Sequence, residues 1–331
     1  MKSLPRGTPI YQRVRNSSLT RPPPGSPDQA VNPLPPGRRP DHNPGLPLAG
    51  PRAGPGTACH RAITLRRCVS YSLYARLARY GFRKHATYVA AALAGAFTNS
   101  VFGVLRAYIL IALWQARPGL AGYDVTAAVT FCFVTQAFIG PMQLLSGGLT
   151  LPERIRTGDI ALDLVRPAPL QLWLLAEDLG RAAYQLLVRG LPPMLAGAAV
   201  FGITAPRDPA RWLGVLACVT AGVVVSFAWR YLVCLSVCWL ADDRGVMVCS
   251  MLLTTLLSGM MVPLTLFPGA LGEVVRALPW AAMAQAPADV YLGIASAGPA
   301  LAFQAAWGAA LLALGALATR AVRHRVVIQG G

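Results

Sequence analysis

The sequence contains only two lysines and four histidines, and both small numbers exclude kinds of chemistry. A Walker A loop holds ATP phosphates with a lysine that follows a glycine-rich turn, but neither Lys2 nor Lys84 follows such a turn. All four histidines lie outside the long apolar segments, and the seven cysteines have neither zinc nor redox spacing. We therefore predict no catalytic residue, no metal site and no cofactor in this chain.

Acidic residues are also few, with 13 against 30 lysines and arginines, and the formal net charge is +17. Most of the imbalance lies in residues 1–85, which contain 15 basic and two acidic residues. Within them, residues 1–65 are rich in proline and glycine and are predicted to be a disordered tail. This tail has no stacking platform and no recognisable nucleic-acid module. We therefore predict that it binds anionic membrane lipid and no nucleic acid.

The tail also lacks the apolar segment of a secretory signal. Arg66 and Arg67 resemble a twin-arginine signal, but Arg76 and Arg79 interrupt the sequence that follows them. A simpler alternative is that translation starts near Val69, so that the tail is not made. Both alternatives leave the interpretation of the remaining chain unchanged.

Charged residues make up 13% of the chain and hydrophobic residues 54%, and the mean hydropathy is +0.47. A soluble domain of this size is rarely so apolar, and a membrane-spanning helix needs about 20 mainly apolar residues. Residues 71–85 have the amphipathic pattern of a helix that lies in the plane of the membrane surface. The sequence predicts an all-α polytopic membrane domain, residues 70–325, with this connector helix and six spans at about 86–114, 124–146, 180–203, 212–240, 245–262 and 299–319.

The arginines predict the orientation of these spans, because cytoplasmic loops carry an excess of basic residues. If the N-terminus is cytoplasmic, eight arginines after residue 85 lie on the cytoplasmic side and four on the outer side, with the three arginines inside the spans left uncounted. Both termini are therefore predicted to be cytoplasmic. The polar segment between the second and third spans, residues 157–167, is predicted to lie on the same side.

This polar segment has the sequence TGDIALDLVRP and the features of a short amphipathic helix. Thr157 or Asp159 can cap it, Asp163 and Arg166 are spaced as an i,i+3 pair, and Pro167 ends it. Composition alone favours an ordinary solvated connector. The alternative is a lever, since a partner that moved such a helix would tilt both adjoining spans.

Several polar or helix-breaking residues lie within the predicted spans, where ionisable groups are functional candidates by default. Arg230 either lines a translocation path, or snorkels, or pairs with a carboxylate. The amides in the middle of the spans either form interhelical hydrogen bonds or contact substrate. The break in the fifth span is either a simple kink or part of a pathway. Arg106 is predicted to snorkel to the outer surface, and Pro192 with Pro193 to kink the third span. The candidates for a translocation path are Asn99, Gln136, Arg230, Ser258 and Pro263.

Four segments resemble, in this order, the successive motifs of a family of six-span bacterial permeases, the type-2 branch of ATP-binding-cassette (ABC) exporters. The segments are PERIRTGDIALDLVRP (152–167), LAEDLGRAAYQLL (175–187), LLSGMMVPLTLFPGAL (256–271) and LPWAAMAQAPADVYLG (278–293). The first is the most specific, with its R-x-G-D-x-x-x-x-L-x-R-P pattern. The similarity includes YGFRKHATY and FGVLRA and covers about residues 70–325.

The resemblance implies an exporter permease of the bacterial plasma membrane, and the largely apolar spans with few charges suit a hydrophobic or amphipathic solute. The partners of the permease would be ABC ATPase subunits, which carry the Mg-ATP, and a second permease, either a copy or a relative. Residues 269–278 would form a short extracellular helix after the fifth span. An ion-coupled secondary carrier is the alternative, but the spans contain almost no acidic or histidine relay, and a serine protease would lack a histidine base. The segment expected to dock on the ATPase comprises Glu153, Arg154, Arg156, Gly158, Asp159, Asp163, Arg166 and Pro167.

Overall fold

The computed structural model describes residues 72–145, 149–165, 168–240 and 244–329, and the side chains of these residues up to 323. All regular secondary structure in these residues is helical. The predicted disordered tail, residues 1–65, and the predicted docking residues Arg166 and Pro167 lie outside the described residues.

The amphipathic segment forms helix α1, residues 72–86, which packs closely against helix α6, Leu170–Gln185. A Cβ atom on Gly81 would overlap the backbone of Glu177, and one on Gly180 would overlap the carbonyl of Ala78. Lys84 Nζ lies 2.9 Å from Glu177 Oε1 beside this crossing. Two glycines, one on each helix, therefore let α1 and α6 pack backbone to backbone.

Among the described residues, four helices are long and apolar enough to span a membrane. The polar ends of two of them are capped as the sequence indicates: Asp124 Oδ1 accepts from Ala127 N at 2.6 Å, and Asp208 Oδ1 accepts from Ala210 N at 2.9 Å. Pro209 occupies the first turn of the second of these helices, where its missing N–H costs nothing. The four are α2 (Val89–Ala116), α3 (Val125–Met142), α8 (Pro209–Ser236) and α12 (Ala297–Gln329), of which Ala297–Arg323 carries the apolar span.

The helix that corresponds to the predicted third span begins at Leu170, ten residues before the predicted start of that span. It runs from α6 through a π-helical turn, Leu186–Gly190, into α7, Leu191–Phe201. The turn is closed by the N–H of Leu191, which donates to the carbonyl of Leu186 five residues earlier. Pro192 and Pro193 have no N–H to give to the preceding turn, so the helix widens just before them. The expected proline kink is thus a π turn.

Between α8 and α12, the chain forms shorter helices. Helix α9, Arg244–Leu257, is apolar but only 14 residues long, and it ends at the predicted break, where Gly259 has a φ of +81°. A 3-10 turn, Leu264–Leu266, leads into α10 (Gly269–Ala277), where the extracellular helix was predicted, and then into α11, Gln285–Leu292. The all-α polytopic architecture is confirmed, whereas the number of six spans stays a prediction.

Helix α8 lies at the centre of the bundle and contributes to two apolar clusters. Its first half joins residues of α3, α11 and α12 in the larger cluster, which contains Cys218 and Val219. Its second half, with Phe227 and Tyr231, packs against Leu151 and Ile160. The last two residues belong to α4 (Leu151–Thr157) and α5 (Ile160–Val165), the two short helices of the predicted polar segment. That segment therefore packs against α8.

Candidate functional site

A cavity of about 550 Å³ lies between α2, α3, the π turn and the break after α9. Its walls combine apolar side chains with polar groups from four separate parts of the chain. Volumes of this size are typical of small-molecule sites. The polar lining residues are Thr98, Asn99, Arg106, Gln136, Gln143, Gln185, Arg189 and Thr255, and the apolar ones include Phe102, Ile139, Leu145, Met260 and Met261.

Arg106 enters the cavity from α2 and is held by the break after α9. Its Nη2 donates to the carbonyl oxygens of Met260 and Met261, at 2.5 and 2.9 Å. The break leaves these two carbonyls without hydrogen-bond donors from the helix. The guanidinium supplies the missing donor. Its buried Nη1 makes no hydrogen bond among the described residues. The prediction that Arg106 snorkels to the outer surface is therefore wrong, because a tertiary contact holds its side chain inside the bundle.

Arg189 enters the same cavity from the π turn. A Cβ on Gly95 would overlap the Arg189 guanidinium, so this glycine of α2 makes the space that the cation occupies. Arg189 Nε is buried and has no hydrogen-bond partner among the described residues. Gln185, one turn earlier, also lines the cavity, and its Oε1 is likewise buried without a partner.

Two amides complete the polar lining. Asn99 of α2 is 7% exposed and Gln136 of α3 only 2% exposed. Asn99 Nδ2 and Gln136 Oε1 have no hydrogen-bond partner in the part of the chain that the structure describes. Buried polar groups are normally satisfied, so five unsatisfied ones around a single cavity indicate a site for a ligand with polar atoms.

The structure brings Asn99 and Gln136 together in this cavity, while the other candidates for the translocation path lie elsewhere. Ser258 is fully buried behind the break, where its Oγ accepts from Met260 N at 3.3 Å. Pro263 begins the 3-10 turn that follows. Ser258 and Pro263 thus shape the segment that presents Met260 and Met261 to the cavity.

Arg230 belongs to a buried group of three charged residues. Its Nη2 donates to Asp178 Oδ2 at 2.7 Å, and Arg181 Nε donates to Asp178 Oδ1 at 2.8 Å. All three residues are at most 5% exposed. Of the alternatives for Arg230, the structure shows pairing with a carboxylate, because α6 carries Asp178 to the level of Arg230 on α8.

The same group binds the end of α3. Arg181 donates to the carbonyls of Gly140 and Pro141, at 2.9 and 2.7 Å, and Ser226 Oγ donates to the carbonyl of Met142 at 2.5 Å. The last carbonyls of a helix lack intrahelical partners and carry partial negative charge. The charged group and Ser226 therefore fasten the C-terminal end of α3 to α6 and α8, directly before the segment expected to dock on an ATPase.

The expected docking segment consists of two helices rather than one. Gly158, with a φ of +83°, ends α4, and the chain turns into α5. Asp163 is 1% exposed and forms a bidentate ion pair with Arg154, with Nε–Oδ2 and Nη2–Oδ1 distances of 2.5 and 2.7 Å. The expectation that Asp163 faces water as a docking charge is wrong, because its carboxylate closes the α4–α5 turn. Its proposed partner Arg166 lies outside the described residues.

The outward surface of this segment has an apolar tip. Leu162 is 69% exposed and Val165 84% exposed. Glu153, Arg156 and Asp159 are exposed around them, and Thr157 Oγ1 donates to Asp159 Oδ2 at 2.9 Å. We name these five residues, Glu153, Arg156, Asp159, Leu162 and Val165, the α4–α5 surface.

A second polar cluster lies outside the four candidate spans, where α11 meets the start of α3. Asp289 Oδ1 accepts from Tyr123 Oη at 3.1 Å and from Gln285 Nε2 at 2.8 Å. Burial raises the pKa of Asp289 to about 6, against the opposing effect of these two donors. Burial and the nearby Asp289 carboxylate raise the pKa of Tyr123 as well.

Sequence reasoning missed Gln185 and Arg189 in the cavity and Leu162 and Val165 on the α4–α5 surface. For Arg189 a signal existed, since an arginine within a predicted span is a functional candidate. Gln185 also carried a signal, since it is an amide within the predicted third span, as Asn99 and Gln136 are within the first and second. The exposure of two apolar residues on a six-residue helix follows from tertiary packing alone. Among the described residues, no cluster of histidine, cysteine, aspartate or glutamate could hold a metal ion.

The long apolar helices, the broken α9 and the polar cavity define a multi-pass helical membrane protein of the transporting class. Residues 102–330 match the family model described as ABC-2 family transporter protein. The chain belongs to this family, whose members are transmembrane permease subunits that associate with ABC ATPase subunits. No match is found among curated proteins or among solved structures.

Proposed function

We propose that the chain is the permease of an ABC exporter that moves an amphipathic solute across the bacterial plasma membrane. Separate ATPase subunits bind and hydrolyse Mg-ATP, and a second permease completes the membrane unit. The observation that carries this proposal is the α4–α5 surface. Among the described residues, Leu162 and Val165 are the most exposed large apolar side chains outside the predicted spans on the side predicted to be cytoplasmic, and the same two short helices expose the charged residues Glu153, Arg156 and Asp159.

An apolar centre with a polar rim is the usual anatomy of a protein interface. In water, two exposed aliphatic side chains on a short helix gain most by entering a groove of a partner. The cleft of an ABC ATPase is the partner that the family indicates. Motion of that partner would reach the bundle through Leu151 and Ile160, which pack on Phe227 and Tyr231 of α8.

The cavity supports transport of a solute with both polar and apolar parts. Its polar groups are those of Asn99, Arg106, Gln136 and Arg189, and Phe102 with the two methionines supplies apolar wall. A second permease is supported by α2, which lines the cavity on one side. The side of α2 opposite its buried residues exposes large apolar side chains, among them Phe97, Leu105, Tyr108 and Ile109.

The proposal is tested by expressing the chain with its ATPase and replacing the apolar tip. We expect Leu162→Asp with Val165→Asp to abolish ATPase co-purification and to leave membrane insertion intact, because two buried charges would oppose docking. Leu271→Asp with Val274→Asp is the matched control, since these residues of α10 are 55% and 57% exposed and lie on the predicted outer side. Full ATPase capture by the first variant, or equal loss in the control, would overturn the docking role. Uphill solute movement by the chain alone in vesicles would overturn the ABC mechanism.

A further inference from the structure

We propose that the cavity recognises the anionic head group, a carboxylate or phosphate, of an amphiphile that the transporter moves. This inference rests on the proposed function and adds the charge of the solute to it. The observations that carry it are the two arginines of the cavity, their unsatisfied N–H groups and the deep burial of the neighbouring amides.

The charge of the lining is one-sided. Among the residues that the structure describes around the cavity, Arg106 and Arg189 are cationic and none is acidic. Placing a cation within a membrane domain is costly unless an anion or a set of oxygens compensates it. Met260 and Met261 provide two carbonyl oxygens for Arg106, but carbonyls cancel no net charge. An anionic ligand would cancel it.

The charged group around Asp178 shows what compensation looks like elsewhere in this protein. There, Arg181 and Arg230 share one buried carboxylate at distances of 2.8 and 2.7 Å. The cavity presents the same number of guanidinium groups without a carboxylate among its described lining residues. A ligand carboxylate or phosphate would occupy the corresponding place.

Residues that line the cavity carry unsatisfied donors and acceptors of the kinds that such a head group needs. Arg106 Nη1, Arg189 Nε and Asn99 Nδ2 are buried donors without partners among the described residues. Gln136 Oε1 and Gln185 Oε1 are the acceptors, which suit a hydroxyl or amide beside the anion. Charge-assisted hydrogen bonds of this type are about twice as strong as neutral ones.

The remaining wall suits an alkyl or aryl chain. Phe102, Ile139, Leu145, Met260 and Met261 line the cavity with apolar surface, and methionine side chains adapt to ligands of different shape. A head group between the arginines would thus leave its chain against apolar side chains. A cationic amphiphile of equal length would meet two like charges at the same place.

The test uses the permease bound to its ATPase in nanodiscs and three probes with the same chain: dodecanoate, methyl dodecanoate and dodecyltrimethylammonium. We expect saturable dodecanoate binding and stimulation of ATP hydrolysis, with affinity at least tenfold weaker for the ester and weaker still for the cation, since a lost charged hydrogen bond costs about that factor or more. Equal affinity for the three probes, or preference for the cation, would overturn the proposal without any variant being made.

Variants then locate the site. Arg106→Gln and Arg189→Gln should each weaken dodecanoate binding by roughly tenfold and leave ester binding unchanged. Arg106→Lys and Arg189→Lys should recover part of the affinity, because the charge is kept. Arg117→Gln is the control, since Arg117 is an exposed arginine outside the cavity. Unchanged dodecanoate affinity in both glutamine variants, each checked to be folded by size-exclusion chromatography, would overturn the proposal.

A final measurement separates a transported solute from a resident lipid with the same chemistry. In vesicles, dodecyl phosphate, which stays ionised at neutral pH and crosses a bilayer slowly, should reach the other leaflet quickly only when ATP is added, and excess phosphatidylglycerol should compete with it. Tight phosphatidylglycerol that co-purifies and is not released during ATP turnover would overturn the transport part. Loss of ATPase association would instead count against the proposed function, so the two failures are distinguishable.

Discussion

The Arg106 guanidinium on α2 donates to the carbonyl oxygen of Met260 across 2.5 Å, although 154 residues separate the two in sequence. A helix that breaks inside a membrane frees carbonyl groups that must find donors. In this protein the donor is a cation from a neighbouring helix. The contact therefore stabilises the break and, at the same time, fixes one wall of the cavity.

Replacing Arg106 with Met should destabilise the protein by about 1–3 kcal/mol, because the carbonyls of Met260 and Met261 would lose their donor. The measurement is the thermal unfolding midpoint of the detergent-solubilised protein. Arg117→Met is the control for the general effect of removing an arginine. Equal midpoints for the two variants would show that water or lipid satisfies these carbonyls instead.

Replacing Asp178 with Asn should destabilise the protein by about 3–5 kcal/mol, because two buried guanidinium groups would lose their counter-charge. The double variant, Asp178→Asn with Arg230→Gln, should lose less free energy of unfolding than the two single variants lose together. In the double variant, Arg181 still donates to the carbonyls of Gly140 and Pro141. Chemical unfolding of the four proteins completes the cycle. Additive effects would mean that Asp178 and Arg230 do not interact.

Replacing Gly180 with Ala should separate α1 from α6, because the new Cβ would overlap the backbone carbonyl of Ala78. A rigid backbone cannot give way as a flexible side chain can. We expect a strongly lowered unfolding midpoint and faster proteolysis of α1. Gly245→Ala is the matched control, since a Cβ there meets nothing within 4 Å. A normal midpoint for Gly180→Ala would contradict the close crossing.

The contribution of Asp289 to the free energy of unfolding should decrease as pH rises from about 4 to 6. Its pKa is raised from 3.8 to about 6 in the folded state, so between these values the folded state binds more protons than the unfolded state. Stability therefore decreases with pH across this window. Asp289→Asn should flatten the dependence, measured as unfolding midpoints at several pH values. An unchanged slope in the variant would assign the dependence to other groups.

The sequence predicted the parts of this fold that local patterns determine. Long apolar segments identified α2, α3, α8 and α12, and the break at Ser258 to Pro263 followed from glycine and proline. The π turn was not predicted, because two adjacent prolines can equally kink a helix. The position of Arg189 beside Gly95 depends on this turn, so the sequence did not predict it either.

Side-chain partners were predicted less well than helices. The i,i+3 spacing favoured Asp163 with Arg166, which lies outside the described residues, whereas the ion pair that the structure shows, Arg154 with Asp163, depends on the turn at Gly158. The position of Arg106 near a helix end indicated snorkelling. Its contact with the freed carbonyls of a distant segment was missed, because the sequence around Arg106 contains no sign of that segment. Asn99 and Gln136 were found because an amide inside an apolar helix is conspicuous wherever its partner lies.

Asn99 and Arg106 are seven residues apart on α2, which is close to two full turns at 3.6 residues per turn. Both therefore project from one stripe of that helix into the cavity. If α2 rolled about its axis by a single residue position, roughly 100°, the two side chains would leave the cavity together. The same rotation would break the contacts of Arg106 with Met260 and Met261, so the cavity would lose its polar groups and one fixed wall at the same time.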